Sequence, residues 1–128
     1  MTQISNNAIP PQEMTYKVIK AAFEVYNELG FGYQEKYYYR ALKLKFVALG
    51  FTVQEQLLAR LIFEGKTIGR YYLDFLVNNC LVVELKIANQ VYQKHINQVL
   101  GYLKANNLKL GILVVYTSQK VIIKRVIN

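Results

Sequence analysis

The sequence predicts an α/β fold with the element order α-α-β-β-β-α-β-β. Three features point to it. Apolar residues recur at helical spacing in two opening segments that each end at a glycine. The period then shortens to that of strands across residues 51–87, and helical spacing returns once before two last strand-like runs. With 128 residues, 53% of them hydrophobic, the chain can build one domain with a core and is too short for two. Residues 1–12 are therefore expected to form a flexible N-terminal tail and residues 13–128 a single domain.

The tail ends at Pro10 and Pro11, which suit a helix start. From Glu13 to Leu29, Met14, Val18, Ala21, Ala22, Val25 and Leu29 follow helical spacing, and Gly30 stops the pattern. After the turn "GFGY", Gln34 to Leu49 reads as a second helix with Ala41, Leu42, Leu44, Phe46 and Leu49 on its buried side, ended by Gly50. The next segment is rich in Val, Ile, Leu, Phe and Tyr, and "EGK" and "NNC" are turn signals, so three successive antiparallel strands follow. "NQVYQKHINQVLGYLKAN" is helical through Val91, His95, Gln98, Val99, Tyr102 and Leu103, and "LKLGILVVYT" and "KVIIKRVI" read as the closing strands.

Composition narrows the setting. One cysteine, Cys80, rules out an internal disulfide framework and a CxxC zinc pair, which fits a reducing cytoplasm. The opening "MTQISNNAIPPQEM" lacks the basic-then-apolar order of a signal peptide, and no apolar run nears the ~18 residues of a membrane span. A soluble cytoplasmic protein with no membrane partner is expected. The net charge of +8 favours an anionic partner, nucleic acid first. All eight acids lie at or before Glu84, so the C-terminal third, with seven Lys or Arg from Lys86 onward and no acid, reads as a phosphate-facing surface.

Within "RYYLDFLVNNCLVVELK" stands the only aspartate, Asp74. Strand alternation puts Glu84 and Lys86 on one face and Leu81, Val83, Leu85 and Ile87 on the other. Taken alone, Glu84 and Lys86 read as an exposed ion pair. A three-residue "NNC" loop would set Asp74 opposite Glu84 on the same face, whereas a two-residue loop would set it opposite Val83. Opposed carboxylates repel unless a cation lies between them, and hard oxygen ligands of this kind suit Mg²⁺ or Mn²⁺. Removing either acid should relieve that repulsion, so alanine variants are expected to be no less stable in chelator. Lys86 would stand beside such an ion, placed to stabilise charge on a phosphate or to orient water. That set suits phosphodiester hydrolysis.

"LDF" followed by "VVELK" resembles the D and ExK elements of the PD-(D/E)xK, or restriction-endonuclease-like, nuclease superfamily, with Asp74, Glu84 and Lys86 at the matching positions. Leu73 stands where the superfamily's namesake proline would be. More narrowly, "GYQEKYY" is similar to the G-x-x-E-x-x-Y signature of the GxxExxY family within that superfamily, and "HINQVLGYLKANNLKLGILV" resembles its helix and last core strand. The resemblance implies a restriction-endonuclease-like core, a central mixed β-sheet flanked by helices. It implies a metal-dependent nuclease acting on nucleic acid, DNA first, with a homodimer as a further expectation. Asp74 and Glu84 would bind Mg²⁺ or Mn²⁺, and Glu35, Asp74, Glu84, Lys86 and Gln98 would form the catalytic set.

Glu35 also suits the first turn of a helix for its dipole alone. Gln98 and Tyr102 are similar to the Q-x-x-x-Y element of RecB-type nucleases, although Tyr102 equally suits the core. His95 is read as a structural hydrogen-bonder and left out of the catalytic set. Tyr37, Tyr38 and Tyr39 could stack on bases, but consecutive helical residues diverge, so at least one belongs to the core. Lys43, Lys45, Lys104, Lys109, Lys120 and Lys124, with Tyr102, are the candidate nucleic-acid contacts; each lysine also reads as a solvated charge. The rival to the enzyme is a catalytically inactive nuclease-fold module that binds nucleic acid or a protein partner.

Overall fold

A computed structural model describes residues 9–128, so residues 1–8 of the expected tail lie outside the described residues. The first helix, α1 (Gln12–Leu29), buries Met14, Val18, Ala21, Ala22 and Val25 as one stripe and ends where Gly30 donates its N–H to the Tyr26 carbonyl. The second helix, α2 (Glu35–Ala48), buries Tyr38, Leu42 and Phe46. Its phase differs from the expected one. Leu44 and Leu49 are 72% and 41% exposed, because residues four apart share a helical face and the aromatic pair at the ends of that row fixes which face is inward.

Strands β1 (Val53–Phe63), β2 (Lys66–Val77) and β3 (Leu81–Ile87) form the expected antiparallel meander. Helix α3 (Gln93–Ala105) then carries the chain across the sheet, so that β4 (Leu110–Tyr116) runs parallel to β3. Strand β5 (Val121–Ile127) returns antiparallel to β4. The result is a mixed five-stranded sheet in the order β1-β2-β3-β4-β5 with helices on both faces. Among the described residues, no helix is long and apolar enough to cross a membrane.

Two hydrophobic layers hold this arrangement. Helices α1 and α2 cover the face that carries Phe75, Val77, Leu81, Val83, Leu85, Ile112, Val114 and Tyr116. Helix α3 covers the opposite face through Val99 and Leu103, against Leu57, Leu73, Leu76, Val82 and Val126. Gly111 permits that second contact, since a Cβ there would sit 2.5 Å from Val99 Cγ1. Both turns of the meander use left-handed backbone: Glu64 and Gly65 between Phe63 and Lys66, and Asn78 and Asn79 after Val77.

One irregularity positions the site. Tyr71 and Leu73 join the α3 layer, whereas Phe75 and Val77, of the same parity, join the α1/α2 layer. Strand β2 therefore reverses its alternation at Asp74. Strand β1 reverses beside it, at Gln56, which has a φ of 53° and is left out of the register with β2 that runs from Val53 to Leu61. Asp74 thus lies where the sheet's backbone pairing is interrupted.

Candidate active site

The β2–β3 register pairs Val77 with Leu81 and Phe75 with Val83, so the loop is Asn78–Cys80, and the next row places Asp74 opposite Glu84. This is the three-residue alternative. The interrupted ladder frees backbone donors, and the two acids take them: the Asp74 N–H donates to Glu84 Oε1 at 2.9 Å, and the Leu85 N–H donates to Asp74 Oδ2 at 2.8 Å. Each carboxylate is therefore built into the other's strand. An alanine at either position would leave a backbone donor without its acceptor, which costs about 1–3 kcal/mol when buried. The expectation that alanine variants lose nothing in chelator is corrected accordingly.

Charge makes this pair unusual. Glu84 is 2% exposed. Burial, then the Asp74 charge, pushes its carboxyl up to about 8, against the opposing pull of Lys86. Asp74 is also raised, chiefly by burial, although the Leu85 N–H and Lys86 work the other way. With Glu84 raised above neutrality beside Asp74, the opposed acids keep one proton near pH 7. Lys86 Nζ lies 3.4 Å from Glu84 Oε2, with its side chain 26% exposed, so one end of the site opens to solvent through the ammonium.

Glu35 approaches from the first turn of α2, where its Oε1 accepts the Ile87 N–H at 3.3 Å. Its carboxyl is raised by burial and by Asp74, and lowered by Lys86. The residues around it hold it there. Gly32 has a φ of 122°, and the fully buried Tyr38 hydroxyl donates to the Gly30 carbonyl while accepting the Tyr33 N–H. The glycine and tyrosine of the G-x-x-E-x-x-Y stretch thus fix the turn that aims its glutamate at β3.

The remaining sequence candidates divide by position. Lys43 lies at the site, paired with Glu55 at 2.8 Å, and lines an open cleft of about 570 Å³ with Glu35, Tyr39, Arg40, Gln56 and Asp74. Lys45 points to α1 and meets Glu24 at 3.7 Å. Lys124 is on β5 in the Glu84 row, and Lys120 is in the turn at the same end of the sheet. Lys104 and Lys109 lie at the opposite end, after α3 has run the length of the sheet. Tyr102 packs against the α3 layer, the core alternative raised for it. Gln98 is half-buried; its backbone carbonyl accepts the Tyr71 hydroxyl at 3.0 Å, and its carboxamide makes no hydrogen bond to the acids among the described residues.

Sequence reasoning missed Lys36 and Arg40 and gave Tyr39 only as a base-stacking candidate. Tyr39 is legible as a neighbour of Glu35 because residues four apart share a helical face, and Lys36 and Arg40 flank that row. Tyr39 stacks on Phe75 with ring centroids 4.5 Å apart and donates to Glu55 at 2.7 Å. Burial and that bond push its phenol up to about 12. Of the three consecutive tyrosines, Tyr38 is core, Tyr39 is packed on the sheet, and Tyr37 is exposed. His95 does not behave as the expected structural hydrogen-bonder: its Nδ1 is buried without a partner among the described residues.

Among the described residues, no three His, Cys, Asp or Glu side chains gather closely enough to enclose a metal ion. Two do. Mg²⁺ is commonly held by one or two carboxylates, with water and a substrate phosphate completing its shell. A buried acid pair that must otherwise keep a proton fits that demand.

The model of one family, the PD-(D/E)XK nuclease superfamily, matches residues 12–126. The chain belongs to the PD-(D/E)XK nuclease superfamily. Nucleases of this superfamily generally depend on a divalent metal ion. Among solved structures, an alkaline exonuclease (LHK-Exo) from Laribacter hongkongensis has a TM-score of 0.50 at 13% identity, over 96% of this chain and 73% of that one. The crystal structure of SSO0001 is also similar, with a TM-score of 0.46 at 16% identity over 91% of this chain and 78% of that one. No curated protein sequence matches. The likeness to the exonuclease extends to the fold: a mixed five-stranded sheet flanked by helices, the restriction-endonuclease-like architecture.

Proposed function

We propose that this PD-(D/E)XK protein is a Mg²⁺- or Mn²⁺-dependent nuclease of the GxxExxY kind that hydrolyses phosphodiester bonds of nucleic acid, DNA in the first place. The observation that carries the reading is the opposed pair of half-buried Asp74 and buried Glu84, each bonded to the other's strand, with Lys86 Nζ 3.4 Å from Glu84. Asp74 and Glu84 would hold the ion, giving up their shared proton as it binds. When bound, the ion supplies positive charge against the charge developing on the phosphate and acidifies water.

The chain's own groups do the rest. Lys86 donates a hydrogen bond to a phosphate oxygen or to the attacking water from its position beside Glu84. Glu35 has Oε1 engaged by the Ile87 N–H, which leaves Oε2 to accept a proton from water. Arg40 and Lys36 draw phosphate into the cleft. Gln98, half-buried on α3, is assigned no step of its own. The single buried thiol of Cys80 fits a cytoplasmic setting.

The test is cleavage of labelled single-stranded DNA, duplex DNA and RNA, with Mg²⁺ or Mn²⁺ and with chelator, by wild type and Asp74→Asn. Wild type is expected to cut at least one substrate only when metal is supplied, and Asp74→Asn to lose at least about 100-fold. Binding without cleavage under every metal condition would favour the inactive module.

A further inference from the structure

We infer that the bare face of the β1–β2 ribbon is the track along which a nucleic-acid strand reaches Asp74, with Arg60 and Arg70 clamping its phosphates and Tyr72 supporting a base. This rests on the nuclease reading of the site. Beyond the rows shared with β3, β1 and β2 continue as a two-stranded ribbon to the turn at Glu64 and Gly65. Helix α3 covers one face of that ribbon through Tyr71, Leu57 and Leu73. The other face is bare.

Register settles what that face presents. Leu58 is opposite Tyr72 and Arg60 opposite Arg70, in alternate rows leading away from Gln56 and Asp74. Tyr72 is 58% exposed. Both arginines are exposed, and neither makes an ion pair among the described residues. Like charges directly opposed across a strand pair are destabilising by themselves, and an anion between them reverses the sign. Two guanidinium forks on facing Cβ atoms about 5 Å apart suit neighbouring phosphate oxygens. Arg70 lies about 13 Å along the strand from Asp74 with Tyr72 midway, and Asp74 opens into the cleft beside α2, on the side of the sheet away from α3 that Tyr72 and Arg70 also take. Phosphate clamp, stacking surface and acid pair are thus in line.

The test is fluorescence-anisotropy binding of labelled single-stranded and duplex DNA in EDTA, across a salt series. The variants are Arg60→Ala with Arg70→Ala, Tyr72→Ala, and a charge-matched control, Lys17→Ala with Lys20→Ala, both on α1. Each cation withdrawn from a phosphate lowers the slope of log affinity against log salt by about 0.7–0.9. The arginine pair should therefore flatten the slope by about 1.5 and weaken binding by roughly 10-fold near physiological salt. Tyr72→Ala should weaken binding with the slope unchanged, and the control should follow wild type. Thermal melting should show the arginine variant at or above wild type, because opposed charges have been removed. Binding by the arginine variant that matches the control, or no binding by wild type at low salt, would overturn the inference. Arginine-dependent binding in a protein that never cleaves would sink the nuclease reading and leave the ribbon standing.

Discussion

At the scale of single residues, Glu84 couples the site to the stability of the metal-free chain. Its carboxyl is raised from an ordinary 4.5 to about 8, so the folded state binds a proton that the unfolded state has released. That contribution is full below about 4.5 and is lost as pH climbs through about 8. Asp74 and Glu35 shift in the same direction, while the lowered His95 and Glu55 work against them. Glu84→Gln isolates the main contributor, because an amide can keep the bonds of the protonated acid without titrating. In EDTA, wild type should lose melting temperature between about pH 5 and about pH 8, and Glu84→Gln should lose visibly less. Parallel curves would mean that the pair does not hold its proton. The acids themselves were legible in the sequence, since one aspartate and an E-x-K on adjacent strands stand out against apolar runs. Their backbone bonds were not, because these follow from the break in the ladder.

At the scale of elements, the strands and helices came through in order because period and turn residues agree in each. The choice between two registers depended on one loop, and "NNC" settled as three residues with Asn78 and Asn79 in the left-handed region that asparagine tolerates. The reversal of alternation at Gln56 and Asp74 left no trace in the sequence, since glutamine has no preference for positive φ. The phase of α2 was misjudged by counting leucines where Tyr38 and Phe46 decide it. Tyr38→Phe tests that helix's role in aiming Glu35. The variant keeps the buried ring but loses two hydrogen bonds to the Gly30–Tyr33 turn, so it should be less stable by about 1–2 kcal/mol in denaturant unfolding. An unchanged midpoint would show that the turn holds without the hydroxyl.

At the scale of the whole molecule, charge read along the chain differs from charge in space. The acid-free C-terminal third is split by α3, which starts beside Lys86 and ends at the far end of the sheet, taking Lys104 and Lys109 with it. The cations that border the cleft come instead from α2, a segment the linear charge count passed over. The nuclease reading depends on Asp74 and Glu84 forming a divalent-metal site that holds a proton when the ion is absent. Calorimetric titration of Mn²⁺ into wild type and Asp74→Asn near neutral pH, in buffers of different ionisation enthalpy, reads ion and proton together. Wild type should bind Mn²⁺ with release of about one proton, and Asp74→Asn should show neither the binding nor the release. Binding that survives Asp74→Asn unchanged, or no Mn²⁺ binding by wild type up to millimolar concentrations, would contradict such a site.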